Sequence, residues 1–176
     1  MHTKKGKSMN TKANKPIPKV GVASDGRTMH YSVGALVQNE NNEYFLMDRK
    51  YEPYGFAGMA GHVDAGEYPL QALMREGREE MGVELHNVRP ILAEEVPWNH
   101  CRNDGINRIE IHYWHLYSAR VNVSDITVNE HEARRWGWFT KDEIRRGWYG
   151  RDGVVCALTL EPVWQHWFKK VGIIPA

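Results

Sequence analysis

Cysteine is scarce, with only Cys101 and Cys156 in 176 residues. Neither belongs to a CxxC or Cys/His spacing, which excludes a disulfide framework and a zinc ribbon and leaves two reduced thiols. No stretch approaches the roughly 18 consecutive apolar residues that a membrane helix needs. The basic N-terminus is not followed by an apolar signal core. A cytoplasmic protein with no membrane partner is therefore expected. Residues 1–19 contain no Asp or Glu at all, but six lysines: Lys4, Lys5, Lys7, Lys12, Lys15 and Lys19. That leader is expected to lack order, and residues 20–176 are expected to form one domain. The chain holds 23 basic and 22 acidic residues, so setting the six lysines aside leaves the domain near −5. An acidic domain has no broad electrostatic case for wrapping a nucleic-acid polymer.

The balance of 41% apolar and 26% charged residues is that of a globular protein with a sizeable core. Residues 29–37 (MHYSVGALV) mix β-branched, aromatic and small side chains and read as a strand. The turn 38–42 (QNENN) and a return strand over 44–47 complete a hairpin. The glycine-rich stretch 51–66 reads as a loop, and 68–81 as a helix. Strands are expected over 88–96, 109–118 and 136–139, with a polar loop over 99–107. Thr140 and Glu143 have the spacing of a capping box. A final helix is expected over 158–171, interrupted near Pro162. His112 and His115 lie three apart, so a strand turns them to opposite faces, and they read as strand positions rather than a shared metal site.

The chemistry concentrates in residues 61–83, GHVDAGEYPLQALMREGREEMGV. At about 100° per residue, Glu76, Glu79 and Glu80 fall within one arc. Leu70, Leu73, Met74, Gly77 and Met81 fall in the arc beside it. Like charges at i,i+4 repel, so three acids on one face call for a cation among them. Hard divalent ions with oxygen ligands fill that role, and Mg²⁺ is the usual one beside phosphates. The alternative is a solvated acidic face neutralised by Arg75 and Arg78.

The wider spacing resembles the Nudix box, Gly-x5-Glu-x7-Arg-Glu-U-x-Glu-Glu-x-Gly-U, where U is a bulky aliphatic. It is matched at Gly61, Glu67, Arg75, Glu76, Glu79, Glu80, Gly82 and Val83. Seven fixed identities at residue frequencies of about 6% coincide by chance in about one window per 10⁸–10⁹. Two departures stand out. Gly77 occupies the first aliphatic position, where it would let the helix approach the sheet backbone, and Met59-Ala60 replaces the common Pro-Gly.

The resemblance implies an α/β/α sandwich with a mixed β-sheet and a loop-helix-loop catalytic motif. It implies Glu76, Glu79 and Glu80 as Mg²⁺ ligands, with Mn²⁺ a substitute and the Gly61 carbonyl contributing. It implies a supporting salt bridge between Glu67 and Arg75. The expected reaction is hydrolysis of a diphosphate linkage in a nucleoside triphosphate, ADP-ribose or nucleotide sugar, or dinucleoside polyphosphate. Glu79 is the favoured general base and Glu76 the next. Glu130 and Glu132, in an acidic stretch before Trp136, are candidates for a further ligand or base. Tyr54, Phe56 and Trp98 are candidates to contact the small-molecule nucleotide, and homodimers are frequent in the family. Two other readings stay open: a nucleotide-binding sensor module without turnover, and isomerase chemistry on a prenyl diphosphate. The latter wants an active-site cysteine, for which Cys101 is poorly placed.

Overall fold

Thr28–Gln38, rich in aromatic, β-branched and small residues, forms the strand around which the sheet is assembled. The computed structural model describes residues 17–99, 111–123, 126–129, 131 and 133–176. In chain order the strands are β1 (Val20–Val22), β2 (Thr28–Gln38), β3 (Tyr44–Arg49), β4 (Phe56–Ala57), β5 (Met59–His62), β6 (His86–Val96), β7 (Ile111–Arg120), β8 (Ala133–Phe139), β9 (Trp148–Arg151) and β10 (Val154–Ala157). The helices are α1 (Pro69–Met81), α2 (Lys141–Arg146) and α3 (Pro162–Lys170). Strand β2 runs parallel to β7, in register from Met29↔Ile111 to Gln38↔Arg120, and β6 pairs antiparallel with β7. On its other side β2 pairs antiparallel with β5 from Ser32↔His62 to Ala35↔Met59. Strand β3 carries β4 and β8. The result is one mixed sheet, with β9 and β10 forming a separate hairpin.

Side chains alternate across a strand, and β2 sorts the core accordingly. Val33, Ala35 and Val37 pack with Phe45, Met47 and Met59 against Ala72, Leu73 and Met81 of α1. Leu36 and Leu46 face the other way, with Trp114, Leu116 and the α3 residues Trp164, Trp167 and Phe168. Truncating one of these fully buried aromatics to Ala costs about 3–5 kcal/mol, so α3 is a main anchor of that layer.

The structure departs from the sequence reading in instructive places. The hairpin is brief: β2 and β3 pair only at Gln38↔Tyr44, because β5 takes the edge of β2 beyond it. Strands β4 and β5 lie inside the stretch read as loop. A Cβ on Gly58 would stand 2.6 Å from the Trp164 ring, so this glycine permits close packing rather than a turn. Pro162 opens α3 instead of interrupting it: the buried Glu161 is the N-cap and accepts from the Trp164 N–H at 3.2 Å. The β9–β10 hairpin turns on Asp152 (φ 51°) and Gly153 (φ 77°), an Asp-Gly pair that carries a hairpin signal of its own. Residues 17–19, counted with the leader, join the domain. Lys19 N–H donates to the Val63 carbonyl at 2.7 Å, and Ala65 N–H to that of Ile17 at 2.8 Å.

Candidate active site

Helix α1 begins where Tyr68 is extended, Pro69 presets φ, and Gln71 Oε1 accepts from the Tyr68 N–H at 2.9 Å. It stops at Gly82, whose left-handed φ of 68° disfavours any residue with a Cβ. Its buried stripe is Ala72, Leu73, Gly77, Met81 and, unexpectedly, Glu80, whereas Leu70 is half exposed. Gly77 packs against Leu85 and the Val83 carbonyl, so it admits the chain just after the helix rather than the sheet.

Glu80 is buried because β5 gives it a partner: the Ala60 N–H donates to its Oε2 at 3.1 Å. A Cβ on Gly61 would overlap the Glu76 carboxylate, so only glycine lets that acid lie against the strand. Glu79 differs from both, with its side chain 59% exposed.

Arg75 organises the cluster. Its Nε and one terminal nitrogen donate to the two Glu67 oxygens at 2.9 and 3.0 Å. It also donates to Glu76 Oε1 at 2.6 Å, to Glu79 Oε2 at 3.2 Å and to the His62 carbonyl at 2.8 Å. Asp64, which the sequence reading passed over, lies 3.4 Å from the same guanidinium, and its N–H donates to Glu67 Oε2 at 3.0 Å. Hydrogen bonds from Arg75 hold the Glu67 carboxyl below its ordinary range, and that bond holds Arg75 firmly protonated. Burial raises Asp64. Arg78 turns away to Glu84 at 3.0 Å, so it does not neutralise the acidic face.

Four carboxyl groups, those of Asp64, Glu67, Glu76 and Glu79, thus surround one guanidinium. The donor set of Glu76, Glu79 and Glu80 is all oxygen and rich in negative charge, which fits a hard divalent cation. Glu130 and Glu132 lie outside the described residues. The chain leading to them is tied to the end of α1, since Asn129 N–H donates to the Glu80 carbonyl at 2.9 Å.

The aromatic candidates are dispersed. Phe56 is only 3% exposed, packed edge-on against Phe139 and Tyr149, so it is a core residue and cannot present its face to a ligand. Tyr54 is exposed beneath the Arg134 guanidinium. Trp98 is half exposed, edge-on to His166 of α3, on the face of the sheet away from α1. The sequence reading missed a basic hollow of about 660 Å³ lined by Lys50, Ala133, Arg134, Arg135 and Trp136. Trp136 packs on Phe45, which belongs to the α1 side of the sheet. Asp48 holds Arg134 and Arg135 at 2.7 and 3.0 Å.

Residues 28–158 match the NUDIX domain family. The chain belongs to the Nudix family. Among its relatives, the NAD-capped RNA hydrolase NudC of Pseudomonas aeruginosa is 27% identical over 113 residues, which are 64% of this chain and 37% of that protein. The Nudix chain thus spans well under half the length of that relative. An isopentenyl-diphosphate Delta-isomerase of an Enterobacter species is 25% identical over 124 residues, 68% of this chain and 66% of that protein. The crystal structure of the MutT protein from Methanosarcina mazei Go1 superposes on the Nudix chain with a TM-score of 0.57 at 19% identity, covering 82% of this chain and 93% of that one. That likeness establishes the shared fold, a mixed-sheet α/β sandwich carrying the loop-helix-loop of α1.

Proposed function

We propose that this Nudix protein hydrolyses a diphosphate linkage in a nucleoside diphosphate derivative, using Mg²⁺ with Mn²⁺ as a substitute. The observation that carries the reading is the cluster of Glu76, Glu79 and Glu80, held against Gly61 and Ala60 and steadied by Arg75. These three acids, with the Gly61 carbonyl, would hold the cation. When bound, Mg²⁺ neutralises the phosphate oxygens that otherwise repel a nucleophile, and it orients them.

The chain's own groups supply the rest. Glu79, the most exposed of the three acids, is the one solvent reaches most freely, and it takes the proton from the attacking water. Glu67 and Arg75 pre-organise the cluster. Trp136 offers a half-exposed indole for a nucleobase, with Lys50, Arg134 and Arg135 close by for phosphate oxygens. Nucleoside triphosphates, ADP-ribose or nucleotide sugars, and dinucleoside polyphosphates all present that combination. No helix among the described residues is long and apolar enough to cross a membrane, and we place the protein in the cytoplasm.

The test is product release from a panel of these substrates and a prenyl diphosphate, with Mg²⁺ and with excess EDTA. Nucleoside monophosphate or phosphate is expected with Mg²⁺ and lost in EDTA. Undiminished turnover in EDTA would remove the metal from the reading. Isomerised prenyl diphosphate without hydrolysis of any nucleotide would replace it.

A further inference from the structure

Three histidines far apart in sequence meet on three neighbouring strands. His30 lies on β2, directly opposite His112 on the parallel strand β7. His62 lies on β5, opposite Ser32, two residues along β2 from His30 and so on the same face. His30 and His112 are each 4% exposed, and His62 is partly exposed. Their ring centroids are separated by 5.1, 5.5 and 6.0 Å. One ring nitrogen of each can be chosen so that all three lie within 4.8 Å of one another.

We propose that His30, His62 and His112 form a second metal site, which takes one transition-metal ion of the Zn²⁺ class. One pair already has the spacing of co-ligands, with His62 Nε2 and His112 Nε2 3.4 Å apart. Two nitrogens at 2.0–2.1 Å from one tetrahedral ion stand about 3.3 Å apart. Rotation of the rings closes the remaining spread. The outer partners are built as well. His112 Nδ1 lies 2.6 Å from the Asn99 carbonyl, so it carries the proton and donates, which leaves Nε2 as the ligating atom. Asn99 is itself fixed, because its Oδ1 accepts from Trp114 Nε1 at 2.9 Å. Three protein ligands leave a tetrahedral ion one position for water or a ligand oxygen, and the partial exposure of His62 gives access.

This site differs from the carboxylate cluster in both place and chemistry. Gly61 faces Glu76 of α1, so the next residue, His62, projects from the opposite face of β5. Imidazole nitrogens select borderline ions, whereas an all-oxygen acidic set selects Mg²⁺. The two sites share a strand. The His62 carbonyl accepts from Arg75, and the Ala60 N–H holds Glu80. An ion on the histidines therefore braces β5 from the face opposite the carboxylates.

The test is Zn²⁺ titration of the stripped full chain against a chromophoric chelator, with metal counted by mass spectrometry and Tm recorded alongside. One tight equivalent is expected, with a rise in Tm. It should persist in the Glu76→Gln/Glu80→Gln double variant. It should weaken in His112→Ala and in His62→Ala by more than the roughly 10–100-fold that loss of an outer-shell partner costs. His62 is partly exposed, so its variant answers the question even if His112→Ala fails to fold. Absence of a tight equivalent from the wild-type chain overturns the proposal. So does its retention in His62→Ala, or its loss in the double Glu variant.

Discussion

Replacing Arg75 with Ala withdraws a single guanidinium from hydrogen bonds to Glu67 at 2.9 and 3.0 Å, Glu76 at 2.6 Å, Glu79 at 3.2 Å and the His62 carbonyl at 2.8 Å. Hydrogen bonds to charged groups are each worth about 1.5–3 kcal/mol. They do not add, because the freed carboxylates regain water: the Arg75 side chain is 21% exposed and that of Glu67 24%. A net loss of about 2–4 kcal/mol follows, which for a chain of this length lowers Tm by about 5–15 °C. The lead-in loop also loses its link to α1, and displaced ligands cost turnover about 10²-fold. Arg75→Lys should recover little of this, since an ammonium keeps the charge but cannot span Glu67, Glu76 and the His62 carbonyl at once. Thermal melts and steady-state kinetics with Mg²⁺ check the argument. Wild-type kcat with an unchanged Tm in Arg75→Ala would refute it.

The three helix acids should separate by role. Glu79→Gln should lower kcat by about 10²–10⁴-fold and stay low at saturating Mg²⁺, as loss of a general base requires. Glu76→Gln and Glu80→Gln should instead raise the Mg²⁺ requirement and recover partly with excess metal. Full rescue of Glu79→Gln would move the base to Glu76 or to the downstream pair, Glu130 and Glu132. The Glu67 carboxyl is depressed by its bonds to Arg75, so its contribution to stability is complete above the ordinary value of 4.5 and is lost as pH falls through the depressed one. The Tm gap between wild type and Glu67→Gln should therefore begin to narrow below pH 4.5 and close once the pH is under the depressed value, and a gap that stays constant as the pH falls through that range would contradict the assignment. Removing residues 1–16 should leave Tm and activity within error. Removing residues 1–22 also deletes β1 and the hydrogen bonds of Ile17 and Lys19 to the loop after β5, and should cost several degrees; equal melting of the two truncations would show that the segment contributes nothing.

The carboxylate cluster is legible in the sequence because it is local. Glu67, Arg75, Glu76, Glu79 and Glu80 lie on one helix and the loop before it, and helical periodicity alone puts the three helix acids in one arc. The capping box at Thr140 and Glu143 is read for the same reason, with Thr140 N–H donating to Glu143 at 2.8 Å and Glu143 N–H to Thr140 at 3.2 Å. Other features depend on which strands pair, and that is decided by burial across the whole chain. Phe56 looked like a loop aromatic until β4 paired with β3 and carried it into the core. Glu80 could be buried only because β5 brought the Ala60 N–H to it. Trp136, Arg134 and Lys50 form one hollow only because β8 lies along β3. His112 was correctly separated from His115 by strand alternation, but its neighbours His30 and His62 are 82 and 50 residues away. The sequence by itself determined the chemistry of the box, since residues within a few helical turns meet whatever surrounds them. Tertiary structure alone decided which distant side chains join it, because strand register is set by long-range burial rather than by spacing along the chain.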